Sequence, residues 1–415
     1  MTTQETYQAR LKRVNDAIRL EQVPDRVPIV PAASALPFFL TEDTTYRDAM
    51  YDFPKAARAI YAFCRDFQPD AFNGPALTSG RSNELAGSTM IDWPGRPGTR
   101  VPDWSTHQCF EFEYLQEDEY PELLRDFTGF MLRKYIPRAF PGLKGLESVR
   151  FVPSIVLSTG VLEGLYTPGA LAAYETLKEI GRHDGEVGMV YARLLASLQA
   201  ELGLPLMWGT YAEAPFDILS DYYRGTMGTF QDLIEQPDHI AAACDLFADL
   251  QIEKFRSLTE SDLPVRRINF PMHKGMDGFM SPQQYEELYW NPLKKVLNAL
   301  IELDITPILY TEGPYDTRVE QLCDLPRGKV LVHFEQADMA RAKRILGGTC
   351  CLSGNIPVYL LEYGTRAQVA DAVKSLLDTC APGGGYILDT DCCIENAKRE
   401  NLEAMFETAL TYGVY

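Results

Sequence analysis

The sequence has no apolar run long enough to span a membrane. Its N-terminal stretch, MTTQETYQARLKRVNDAIRL, is amphipathic and charged, without the apolar core of a signal peptide. Positive charge is scarce: 39 Lys and Arg face 58 Asp and Glu, for a net charge of −19. Such a surface repels phosphate backbones and anionic lipid, so no nucleic acid and no membrane is expected as a partner. The nine cysteines form neither a regular framework nor a CxxC pair. Reduced thiols in a cytoplasmic protein are therefore expected, and a structural zinc module is not. No GxGxxG follows a strand and opens a helix, which argues against an open dinucleotide-binding sheet. Histidine occurs only five times, so the place of each carries weight.

What is present suits one large core: 415 residues, 46% of them hydrophobic. Residues 7–20 read as a surface helix, broken by Pro24-Asp25-Arg26, and VPIVP follows as a buried strand. Residues 46–66 are helical, then AFNG is strand-like. Periodicity fails from about 88 to 119, where Gly, Pro and aromatic residues concentrate. We read about 88–150 as an insertion or lid, with a helix returning at 122–135. FVPSIVLSTG (151–160) fits strand, loop or helix start. Residues 183–202 form an amphipathic helix with Val187, Val190, Leu194, Leu195 and Leu198 at helical spacing. Beyond it strands and helices alternate, which implies a parallel sheet. VPIVP, DAFNG, PLMWG, INFPM, PILYT, VLVHF, CCLSG and GYILD make eight strands, the number that closes a TIM barrel. The expected fold is α/β: a single (β/α)8 barrel domain over residues 1–415, with an N-terminal helical extension (1–24) and the insertion.

In such a barrel the chemistry lies at the carboxyl ends of the strands. Within TPILYTEGPYDTRVEQLCDLPRGKVLVH, a strand, short helix and strand bring Glu312 and His333 to one rim, side by side. A carboxylate and an imidazole there can hold a metal or act as an acid–base pair. The alternative is that Glu312 caps a turn and His333 packs against the next helix. Cys392 stands just before a helix, where a thiolate is favoured. Glu312, His333 and Cys392 together would offer oxygen, nitrogen and sulfur to zinc from three strands. His273, in MHKGMDGF, and Tyr310 join Glu312 as candidate catalytic groups. Trp208, Tyr211 and Met272, with Asn355, are candidate substrate-binding residues in an apolar, aromatic pocket. Cys350 and Cys351 read as barrel wall, and Cys393 as filling at the barrel top. His107, His183 and His239 read as solvated or structural.

The segments APFDILSDYYRGTMGTFQDLIEQPD, KVLVHFEQADMARAKRILGGTCCLSGN, YGTR and GGGYILDTDCCIENAKRENLEAM resemble the uroporphyrinogen decarboxylase superfamily, as does PDRVPIVP near the N-terminus. Porphyrinogen decarboxylases carry an arginine-containing loop after the first strand to hold substrate carboxylates. Here that loop reads AASALPFFL, so their activity is not expected. The spacing from Glu312 to His333 resembles the cobalamin-dependent branch, in particular the first methyltransferase component of aryl methyl ether O-demethylases. Those relatives place a further glutamate where this chain has Leu297. Cys392 falls where coenzyme M-directed members place their last cysteine ligand. The resemblance implies transfer of a methyl group from a small methoxylated aromatic substrate to the Co(I) of a separate corrinoid protein. Zinc would act as a Lewis acid on the ether oxygen. No DxHxxG motif is present, so the cobalamin would arrive on the partner; a homodimer is common in the family. The alternatives are a decarboxylase or lyase using His273 and Glu312 without metal, a methylamine or methylthiol donor, and a catalytically silent barrel.

Overall fold

The computed structural model describes residues 1–75, 77–151, 159–258, 263 and 265–415. Most of FVPSIVLSTG, whose conformation the sequence left open, lies outside the described residues. A small antiparallel pair, β1 (Ile91–Asp92) and β2 (Gln108–Cys109), stands apart from a six-stranded parallel sheet. That sheet runs in chain order through β3 (Thr210–Tyr211), β4 (Arg267–Met272), β5 (Thr306–Pro314), β6 (Leu331–Gln336), β7 (Cys351–Ser353) and β8 (Tyr386–Ile387).

Two of the eight expected strands, VPIVP and DAFNG, are not strands of this sheet but join it through isolated parallel bridges. Ile29 bridges Leu388 and Phe72 bridges Leu206. Backbone hydrogen bonds continue the circuit: Leu388 N–H donates to Pro28 (2.8 Å), Asp70 N–H to Ile29 (2.9 Å), and Met207 N–H to Phe72 (3.0 Å). Prolines 28 and 31 remove donors from the first of these segments, which limits it to sparse pairing.

Side chains two apart on a strand face the same way. Val30, Ala71, Met207, Ile308, Leu331, Cys351 and Ile387 accordingly meet in one apolar cluster. Val14, Ala17 and Ile18 of the helix Thr3–Arg19 close that cluster from the amino-terminal side of the strands. Asp70, fully buried, ties this helix and the first segment together. It accepts from Arg13 (2.6 Å), Arg26 (2.7 and 2.8 Å) and the Ile29 N–H (2.8 Å).

The helices depart from expectation where the sequence was ambiguous. The helix expected at 183–202 begins at Pro168, capped by Thr167, and runs to Leu202. Residues 46–66 split into Tyr46–Tyr51 and Phe53–Phe67 at Asp52, whose side chain caps the second piece. The stretch expected as a short helix after β5 is two 3-10 turns, Asp316–Arg318 and Gln321–Asp324. The insertion holds β1 and β2, then helical pieces from Tyr120–Arg125 to Ile136–Ala139, in place of one helix at 122–135. Among the described residues no helix is long and apolar enough to cross a membrane.

Candidate functional site

Above the apolar cluster, the next inward positions of the strands line a cavity of 310 Å³ at their carboxyl ends. Alternation explains who reaches it: Ile308, Tyr310 and Glu312 from β5, Leu331 and His333 from β6, Asn269 and Pro271 from β4. Ser353, Asp389, Cys393, Asn73, Trp208 and Tyr211 complete most of the wall. The Trp208 and Tyr211 rings lie 4.2 Å apart, and the Trp208 indole donates to Asn73 Oδ1 (2.9 Å). Tyr310 and His333 stack at 3.9 Å, their ring planes nearly parallel.

Met272 has the opposite parity from Asn269 and Pro271, so it points outward into the packed core with no exposure. It is not a wall residue, contrary to expectation. Asn355 is likewise not at the cavity; its amide reaches the carbonyls of Glu335 (3.4 Å) and Ala337 (3.5 Å). His107, read as solvated or structural, does line the cavity and bonds the Tyr46 hydroxyl (2.9 Å). His183 and His239 stay outside it, near Glu186 and stacked on Tyr120. Cys350 and Cys351 are buried wall, as expected.

Glu312 stands at the rim, 43% exposed, where Gly313 (φ +74°) turns the chain. It borders the cavity and two further hollows. Its partner is His273, whose Nε2 lies 3.5 Å from Oε1. The other ring nitrogen of His273 is hydrogen bonded to Asp221, which also meets Lys274 at 3.1 Å. Beneath them, buried Asp217 accepts from the backbone N–H of His273 (2.9 Å) and Lys274 (3.0 Å) and from the Tyr289 hydroxyl (2.7 Å). Burial works against charge on His273, but Asp221, Glu312 and Asp217 outweigh it and raise its pKa to about 11. The imidazole is therefore a cation held between two carboxylates. Burial, with Asp221 beside it, pushes the Asp217 carboxyl well up.

The expected pairing of Glu312 with His333 is corrected by register. Tyr310, not Glu312, is opposite His333 in the parallel ladder. Glu312 therefore sits one inward step, about 6–7 Å, further along. His333 is 2% exposed, its Nε2 bonded to the Thr390 carbonyl (2.8 Å), and burial lowers its pKa to about 4. Its Nδ1 is buried without a partner. Cys392 borders a neighbouring hollow, whereas Cys393 faces both that hollow and the cavity. Burial holds both as thiols, with pKa values near 12, not as the thiolate expected for Cys392. Among the described residues no group of three His, Cys, Asp or Glu side chains is arranged to hold a metal ion. The trio Glu312, His333 and Cys392 is thus not assembled as a zinc ligand set.

Sequence reasoning missed Asp217, Asp221 and Asp389, and read Cys393, which faces the cavity, only as filling at the barrel top. Asp217 and Asp221 lie four apart on one helical turn in FDILSD, and Asp389 directly follows the apolar run YIL, so both signals were present in the pattern.

A parallel α/β sheet with a cavity and a charged relay at its carboxyl ends defines the scaffold of a TIM-barrel enzyme family. Residues 165–412, well over half of the chain, match the model of the uroporphyrinogen decarboxylase (URO-D) family, and the chain belongs to that family. No curated protein matches it in sequence. Among solved structures it is similar in fold to a methyltransferase from Methanosarcina mazei, at 14% identity and a TM-score of 0.60 over 99% of each chain.

Proposed function

We propose that this protein is a methyltransferase that removes the methyl group of a small methoxylated aromatic compound and delivers it to a separate corrinoid protein. The observation that carries the reading is the aromatic-walled cavity, whose rim residue Glu312 also borders the adjoining hollow where it pairs with His273 and, through it, Asp221. The fold shared with a methyltransferase supports it. The partner's Co(I) would supply a nucleophile for the methyl carbon that this chain lacks.

The chain's own residues do the rest. Trp208, Tyr211 and Tyr310 hold the ring and exclude water. As the methyl carbon–oxygen bond breaks, its electron pair stays on the aryl oxygen. His273, facing the rim beside Glu312, holds a proton for that oxygen. A phenol titrates near 10, close to the value of about 11 for His273, so the transfer is nearly balanced. No step runs through a metal, since the donors are not assembled for one. Lyase chemistry on several carboxylates is disfavoured, because no Lys or Arg among the described residues lines the cavity.

The test is demethylation of guaiacol by the purified protein, with and without reduced corrinoid protein. Product is expected only with the partner; full-rate demethylation by the chain alone refutes the mechanism. Elemental analysis of the same preparation decides the metal question. Little bound zinc is expected, and stoichiometric zinc lost in both Glu312→Ala and His333→Ala would restore the metal-centred reading.

A further inference from the structure

Among the described residues two carboxylates face the cavity, and only one of them is answered by a cation. Glu312 has His273. Asp389, 4% exposed, has none. Its Oδ1 accepts from the backbone N–H groups of Ala32 (2.8 Å) and Thr390 (2.7 Å). Its Oδ2 lies 3.6 Å from Nε2 of His333, a ring that burial keeps neutral and that is already bonded to the Thr390 carbonyl. Burial raises the Asp389 carboxyl to about 7, as befits an acid with no charged partner. His107, the other imidazole of the wall, is also pushed toward its neutral form by burial. A ligand entering here meets rings, neutral amides and hydroxyls, and one uncompensated carboxylate.

We propose that Asp389 makes the cavity a filter on ligand charge, admitting an uncharged methoxylated phenol and rejecting a ring carboxylate of the same shape. An anionic ligand would lose its hydration and find no cation in return, with a like charge beside it. An uncharged phenol loses far less, and its hydroxyl can donate to Asp389 Oδ2. The choice of an aromatic ether rests on the function proposed above; the sign of the selectivity rests on Asp389.

The experiment is calorimetric titration of the purified protein with guaiacol, vanillate and vanillamide at pH about 8, where the ring carboxylate is ionised. Vanillamide has the shape of vanillate without its charge. Guaiacol and vanillamide are expected to bind within about threefold of each other, and vanillate at least about tenfold more weakly. In Asp389→Asn, whose amide oxygen can keep both backbone hydrogen bonds, the gap between vanillate and vanillamide should close to about threefold. Equal binding of vanillate and vanillamide by the unaltered protein overturns the proposal, as does a gap that survives in a folded Asp389→Asn. Binding of none of the three overturns it as well. The acid–amide pair needs no variant, so the test stands even where Asp389→Asn does not fold. Charge selectivity without demethylation in the presence of corrinoid protein would sink the methyl-transfer reading and leave the filter intact.

Discussion

His273 is fixed at three points: its backbone N–H on Asp217, one ring nitrogen on Asp221 and the other facing Glu312. Each contact separates a role. His273→Ala removes the proposed proton donor and should lower kcat for demethylation by about 100-fold or more. Asp221→Asn keeps the ring but removes the charge that orients and protonates it, so a smaller loss in kcat is expected, with KM nearly unchanged. Asp221→Glu should recover part of that loss. A large rise in KM in either variant would show that the relay binds substrate instead. At this scale the sequence was partly legible. A histidine in a glycine-bearing loop after a strand marked His273, but its carboxylate partners come from 52 and 56 positions earlier. Nothing local announces such a contact. Met272 was misassigned because nearness to a strand end was weighed above the parity of the strand.

The alternation of strands and helices made the parallel sheet readable: five of the eight expected strands stand where they were read, and a sixth is displaced from PLMWG to the adjoining Thr210–Tyr211. The two that failed, VPIVP and DAFNG, owe their places to a side chain more than to ladder bonds. Asp70 holds Arg13, Arg26 and the Ile29 N–H at once. Removing a buried partner of this kind leaves guanidinium groups uncompensated and costs about 3–5 kcal/mol. Asp70→Ala is therefore expected to lower the unfolding free energy from urea titration by that much, while binding of guaiacol to the folded fraction persists. A shift below about 1 kcal/mol would show that the arginines find other partners. Register, in contrast, was not legible. The ladder pairs His333 with Tyr310, two residues before Glu312, and no local pattern in the sequence reports that offset.

For the whole molecule, the charge of −19 gives a partner with a basic face an electrostatic advantage in encounter, which added salt would weaken. Composition speaks to the sign of a partner's charge and leaves its identity open. The helix Thr3–Arg19 seals the amino-terminal end of the strands with Val14, Ala17 and Ile18. The cavity consequently has a floor, and its traffic passes through the rim at Glu312. Were the proposed partner to seat over that rim, the small molecule would have to enter first and its product leave last. Initial rates measured against both substrates should then follow a compulsory order. Excess corrinoid protein should inhibit by closing the empty cavity, whereas a random-order pattern would mean that another way in exists.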